Sequence, residues 1–304
     1  ILVAVAVPAW FGMADRHQLA TFLDPDGARQ VGLVSSTLAA VYGHHGTTRR
    51  RSGSVVLCLD VRHGWSAGLV HRDGNGLAEV ASWGIAPHDV AGRLDDSVVS
   101  PWLVDHLFEA ASAVIDSTSI DAVLVIDDVG LRASCIRDAV RQSAHPLARC
   151  QVVVGEGRSV AAGGASLVRR TDRPPISVGA LAYALTVRAD GDPERIAMDV
   201  VTPVHARVPS STRRTFDLGP NDGSPLHFDV FEQHGAPGDD TVEHRLVVRA
   251  HLRRERGFDQ NTVVSFDLGS NGLLSIGPTK AWSLEWQPGT LVLDGAHEST
   301  ESAR

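Results

Sequence analysis

Lysine is nearly missing from this chain of 304 residues: Lys280 is the only one. Arginine carries the rest of the positive charge, and 28 Lys+Arg against 36 Asp+Glu leave a formal net charge of −8. No lysine stands in the first half to clamp a phosphate. No basic surplus exists for general nucleic-acid binding. Cysteine is scarce too. Cys58, Cys135 and Cys150 are too few and too scattered for a disulfide framework or a cysteine-rich zinc site, which fits a reducing, cytoplasmic setting. Long apolar runs are also absent, and no stretch approaches the roughly 20 residues of a membrane helix. Hydrophobic residues make up 43% and charged residues 21%. Those proportions suit a globular chain, and the length suits about two domains.

The chain opens with "ILVAVAVPAWFG". A signal peptide needs a basic segment before its apolar stretch, and none precedes Ile1. Pro8 stops the run, so it reads as a short buried strand rich in β-branched residues. A buried strand at the first residue implies lost neighbours, and a fragment of a longer chain is expected.

The first half alternates strands and helices. Helices are expected over residues 15–23, 38–42, 103–115, 132–143 and 159–168. Ser35, Ser36 and Thr37 offer a cap for the second of these. Strands are expected at "SVVLCLD" (54–60), "IDAVLVIDD" (120–128) and 151–155, two of them ending in acids. This alternation predicts a sheet covered by helices. "GHHGTTRRRSG" (43–53) reads as a polar loop. His44 and His45 have no third metal ligand nearby. At "RRTDRPPIS" the composition changes, and two prolines among charges read as a linker. Beyond it the helical period disappears. Turns are expected at 186–191, 220–224, 235–239 and 270–272. Between them "LHFDVFE", "HRLVVRAHL" and "NTVVSFDL" suit antiparallel strands of a β-sandwich. The tail from Glu298 is polar and reads as disordered.

"VSFDLGSNGLLSI" (264–276) is the sharpest stretch, a strand, an Asn-Gly turn and a second strand. It closely resembles the hairpin F-D-[IL]-x-x-N-G-[IL]-L-x-V that ends the peptide-binding domain of DnaK-type heat-shock chaperones. The match runs through Phe266, Asp267, Leu268, Asn271, Gly272, Leu273 and Leu274. "TPVHARVPSSTRRTF" (202–216) resembles a second motif of that family, and "ISVGALAYAL" (176–185) its first sandwich strand. "VAVPAWFGMADR" (5–16) resembles V-P-A-[YF]-F-x-x-x-x-R of the nucleotide-binding domain. "STLAAVYG" and "SVAAGGAS" resemble two of that domain's helices. The resemblance runs from about Val5 to Ile276.

What the resemblance implies is an α/β actin-like domain followed by an all-β sandwich. The expected divisions are a partial nucleotide-binding domain over 1–168, a linker at 169–176, a substrate-binding sandwich over 177–296 and a tail at 297–304. Pro8 and Arg16 match residues that relay nucleotide state between domains. Leu185, Phe216, Leu226 and Phe228 match the lining of a cleft for extended apolar peptides, and each also reads as ordinary sandwich core. ATP with Mg²⁺ is the implied cofactor, but its site is depleted. The second phosphate loop, D-x-G-G-G-T in the family, reads "DVRHGWSAG" here. Asp60 and Gly64 remain, and Arg62, His63 and Trp65 replace the other key positions. Ser35 stands where the resemblance places a catalytic glutamate. The adenosine loop falls on "VIDDVGLR", bringing Asp127, Asp128 and Arg132 to it. The interval from Asp96 to Ile120 is too short for the subdomain that completes the adenine pocket. Two readings stay open, a chaperone-like peptide binder with a degenerate nucleotide site and an ATPase whose catalytic lobe lies upstream.

Overall fold

A computed structural model describes residues 2–27, 29–45, 53–73, 76–85, 96–114, 120–143, 146–169, 179–189, 199–217, 226–234, 243–252, 261–277 and 282–289. The expected linker beyond Arg169, which instead ends a helix, the turns at 220–224 and 235–239, and the tail lie outside these residues. Two parallel strands come first, β1 (Leu2–Val7) and β2 (Gln30–Ser35), with helix α1 (Met13–Leu23) between them. Helix α2 (Ser36–His45) follows. A five-stranded sheet is then built from β3 (Val55–Asp60), β4 (Trp65–Asp73), β5 (Gly76–Ile85), β6 (Ile120–Ile126) and β7 (Gln151–Gly155). Its order is β5-β4-β3-β6-β7, antiparallel across β5, β4 and β3 and parallel across β3, β6 and β7. Helices α3 (Asp96–Ser112), α4 (Leu131–Gln142) and α5 (Gly157–Arg169) complete this half.

Central strand β3 is buried along its whole length, which explains its unbroken apolar run. Successive side chains serve opposite faces. Leu57 and Leu59 join Val123, Val125, Ile136 and Val140 in one core. Val56 and Cys58 join Leu38, Val41 and Val160 in another, under α2 and α5. These helices approach so closely that a Cβ on Gly43 would strike the Ser159 carbonyl, and one on Gly163 the Ala39 carbonyl. Glycine is required at both crossings.

Two expectations for this half need correction. The loop expected from Gly43 starts later, because α2 continues through His45. The stretch matched to a phosphate loop, 60–68, is a tight turn followed by β4 from Trp65. Pairing of β4 with β3 and β5 holds it extended along its length.

In the second half all strands pair antiparallel. They are β8 (Gly179–Ala180), β9 (Ala184–Ala189), β10 (Asp199–Thr202), β11 (Arg207–Val208), β12 (Ser210–Asp217), β13 (Leu226–His234), β14 (Glu243–Leu252), β15 (Asn261–Leu268), β16 (Leu274–Gly277) and β17 (Trp282–Trp286). One sheet has the order β10-β9-β13-β14-β17, another β12-β15-β16, and β8 pairs with β11. Both larger sheets contribute to a single apolar core, with Leu185, Val187, Phe228, Val230, Val248, Val264 and Phe266 in it. The turn expected from Thr186 is corrected: Thr186 to Ala189 belong to β9 and pair with β13. The hairpin at Asn271-Gly272 is present, with Leu268 opposite Leu274. Gly272 takes φ 77 there, a left-handed conformation that costs glycine little.

Candidate functional site

The acids flagged by sequence gather at the C-terminal ends of parallel strands β3 and β6, the end of an α/β sheet where ligands bind. Each is already engaged. Asp60 is 7% exposed. Arg62 donates to both of its oxygens, Nε to Oδ1 at 2.8 Å and Nη2 to Oδ2 at 2.9 Å. The hydrogen bond to Asp60 raises the guanidinium pKa further. Asp128 Oδ1 accepts the Gly157 N–H at 2.6 Å and so occupies the N-terminus of α5. Asp127 Oδ2 accepts from Ala133 N–H at 2.9 Å and Oδ1 from Val129 N–H at 3.1 Å, at the start of α4. Burial works to raise the Asp127 pKa. The N–H groups of Ala133, Val129, Gly130 and Arg132 outweigh it and hold the carboxyl below its ordinary value. Arg132 donates to the Val61 carbonyl at 2.8 Å and lies over the Trp65 ring. Gly64 closes the β3–β4 turn at φ 84, and Trp10 pins that turn through the His63 carbonyl at 2.9 Å.

These residues do not fit a Mg²⁺–nucleotide. A divalent cation beside Asp60 would sit against the guanidinium that already holds both of its oxygens, and like charges repel. The α5 N-terminus, a natural phosphate seat, faces a carboxylate of the same chain.

Ser35 is buried, and its hydroxyl lies 3.0 Å from Oε1 of Glu79 and 2.8 Å from Thr37 Oγ1. Thr37 also donates to Glu79 Oε1. Glu79 is fully buried in β5, and its Oε2 accepts the Ala180 N–H of β8 at 2.8 Å. Burial pushes the Glu79 carboxyl up to about 7, against the hydrogen bonds from Thr37, Ala180 and Ser35 and the charge of Arg16.

Glu79 belongs to a wider seam in which the second half meets the first. Leu33 N–H of β2 donates to the Asn271 carbonyl of the hairpin at 2.9 Å. His17 Nε2 of α1 lies 3.1 Å from the Leu274 carbonyl, and its ring stacks on Trp286 at 3.5 Å. Burial lowers the His17 pKa to about 4. His205 Nδ1 accepts the Ser82 N–H at 3.3 Å and its ring meets Trp83 edge-on. Glu232 of β13, fully buried, accepts the Met13 N–H at the start of α1. The relay candidates lie beside this seam. Phe11 N–H donates to the Pro8 carbonyl at 3.1 Å, and Arg16 Nε donates to the Phe11 carbonyl at 3.4 Å. Pro8 and Arg16 are thus joined through one residue.

The peptide-cleft candidates are placed differently. Leu185 is completely buried and Phe228 is 3% exposed, packed edge-on against Phe266 at 5.8 Å. Both are core in this structure, and neither faces an open cleft. Phe216 lies in β12 opposite Thr262, and Leu226 in β13 opposite Leu252. The side chains of Phe216 and Leu226 lie outside the described residues.

Sequence reasoning missed Glu79 and Glu232. Each had a local signal. Leu77 and Glu79 share one buried face of β5, with Glu79 opposite Val70, and Phe228, Val230 and Glu232 share one face of β13. An acid on the inward beat of an apolar strand needs a partner, and that partner is a backbone N–H from the other half.

No protein-family model matches the chain. No curated protein matches it. Among the described residues, no group of three or more His, Cys, Asp or Glu is placed to hold a metal ion. No described helix is long and apolar enough to cross a membrane.

Proposed function

We propose that this chain is a divergent relative of the DnaK-type chaperones, cytoplasmic, with an actin-like first half and a β-sandwich second half that binds extended apolar peptides. One observation carries the reading. The linked residues Pro8, Phe11 and Arg16 lie beside the seam where the peptide-binding half meets the α/β half. A protein whose halves must sense each other needs such a contact. Peptide would add as a strand along an open edge. Among the described strands, β12 pairs with β15 alone and offers such an edge. Leu185 and Phe228, buried between the sheets, would hold the sandwich behind that edge without touching peptide. ATP turnover is absent from the reading, because Asp60 is held by Arg62 and Asp128 by the α5 N-terminus.

A second reading, an ATPase whose catalytic lobe lies upstream, draws on the resemblance of residues 60–68 and 125–132 to the family's phosphate and adenosine loops. One experiment separates them. The full chain is titrated with a labelled Leu-rich heptapeptide, with and without ATP and Mg²⁺, and phosphate release is followed. Saturable peptide binding unaffected by nucleotide, with no phosphate release, is expected. Absence of peptide binding would refute the first reading. Phosphate release that disappears in Asp60→Ala would establish the second.

A further inference from the structure

Helix α1 starts without a side-chain cap of its own. Its N-cap residue is Gly12, where Ser, Thr, Asp or Asn would ordinarily accept a first-turn N–H. The exposed donors find partners elsewhere. Gly12 N–H donates to Asp15 Oδ2 at 3.2 Å. Met13 N–H donates to Glu232 Oε1, from a residue 219 positions away. A carboxylate at this end also meets the positive pole of the helix.

The fit depends on residue 12 being glycine. A Cβ there would lie 2.5 Å from Glu232 Oε2. Glu232 Oε2 is also 3.2 Å from His234 Nε2, so the carboxylate is held from two sides. The Met13 side chain completes the joint. It is fully buried, and it belongs to the apolar core of the second half although it stands in the first. Helix α1 therefore enters the end of that core, tied by the carboxylate above it.

Strand β13 brings Glu232 to this point. Phe228 and Val230 precede it on the same face, in the core. On the neighbouring strand its register partner is Leu185. One strand thus carries two of the peptide-cleft candidates, Leu226 and Phe228, and the contact to α1. Directly before that contact lies the Pro8–Phe11 turn, and directly after it lies Arg16.

We infer that Glu232 is the coupling residue between the two halves, the group through which β13 holds the start of α1 and keeps Met13 seated in the core of the second half. Its hold on α1 stands on the geometry alone. Only the step from peptide binding to a response in α1 rests on the function proposed above.

Amide hydrogen exchange on the full chain tests both parts. In Glu232→Ala, which removes the acceptor, exchange over residues 12–19 should quicken about tenfold relative to wild type, while the hairpin of β15 and β16 stays unchanged. Gly12→Ala, which forces a methyl against the carboxylate, should do the same. With the Leu-rich heptapeptide bound, wild type should change its exchange over residues 12–19. Glu232→Ala should bind the peptide and lose that response. A change over residues 12–19 no larger than that of the hairpin, in both variants, would overturn the inference. So would general loosening of the whole chain, which would make Glu232 an ordinary packing residue. Failure of wild type to bind the peptide would instead strike the proposed function, leaving the exchange of the unliganded variants to decide the role of Glu232.

Discussion

Replacing Glu79 by glutamine should make the protein more stable in mild alkali than the native chain. The carboxyl is fully buried and its pKa stands at about 7, against an ordinary 4.5. Burial is the largest cause, and the donors around it and the Arg16 charge recover only part of the loss. A pKa raised by folding means stability that is complete below the ordinary value and lost as pH rises through the folded one. From pH 5 to pH 8 the two values imply a loss of about 2.5 kcal/mol. Glutamine has nearly the same shape and does not ionise. Its carbonyl can accept the Ala180 N–H, and its amide can donate to the Ser35 and Thr37 hydroxyls, which turn to accept. Urea unfolding of both proteins across this pH range gives the difference directly. His17 and His205 also titrate, but they are common to both proteins and cancel. The difference should move toward the variant by about 2.5 kcal/mol between pH 5 and pH 8. A constant difference would refute the argument. A shift toward wild type would mean that the Arg16 charge outweighs burial.

Three further outcomes follow from neighbouring groups. His17 is held neutral by burial at a pKa of about 4, below its ordinary 6.5, so its contribution is present above the ordinary value and lost as pH falls. His17→Phe keeps a ring against Trp286, and on acidification from pH 7 to pH 4.5 it should lose about 2.5 kcal/mol less stability than wild type, read by urea unfolding. Asp127→Ala removes the acceptor for Val129 and Ala133 N–H at the start of α4 and should cost about 1–2 kcal/mol, with Asp127→Asn recovering most of it in the same assay. Phe228→Ala should cost about 3–5 kcal/mol by the cavity it leaves against Phe266, visible as a lower urea midpoint.

The parts of the fold legible in the sequence are those whose causes are local. The β3 and β6 runs are apolar apart from Asp60 and Asp121, because both faces of their sheet are covered. The hairpin after Leu268 announces itself through Asn271 and Gly272, since a left-handed turn needs a residue such as glycine. Other elements depend on distant partners. Thr186 lies in a polar stretch that reads as a turn, yet pairing with Val200 and Phe231 holds it in β9. Trp65 to Gly68 resembled a loop because its glycine and small residues carry weak strand propensity. Two flanking strands override that.

The same division runs through the acids. Asp60 and Arg62 stand two residues apart, and Asp127 bonds an N–H six residues on. Such pairs can be guessed from spacing, and they leave each carboxylate engaged where it stands. Glu79 and Glu232 bond N–H groups 101 and 219 residues away. Nothing near them in the chain names those partners. A buried carboxylate without them would cost several kcal/mol, so each can remain only while the two halves stay in contact. The joint is reciprocal. Glu79 reaches from the first half to a strand of the second, and Glu232 from the second half to a helix of the first. Opening it at either point would leave an acid stranded in an apolar setting until water arrived. For that reason the two halves should part together at both points, or at neither.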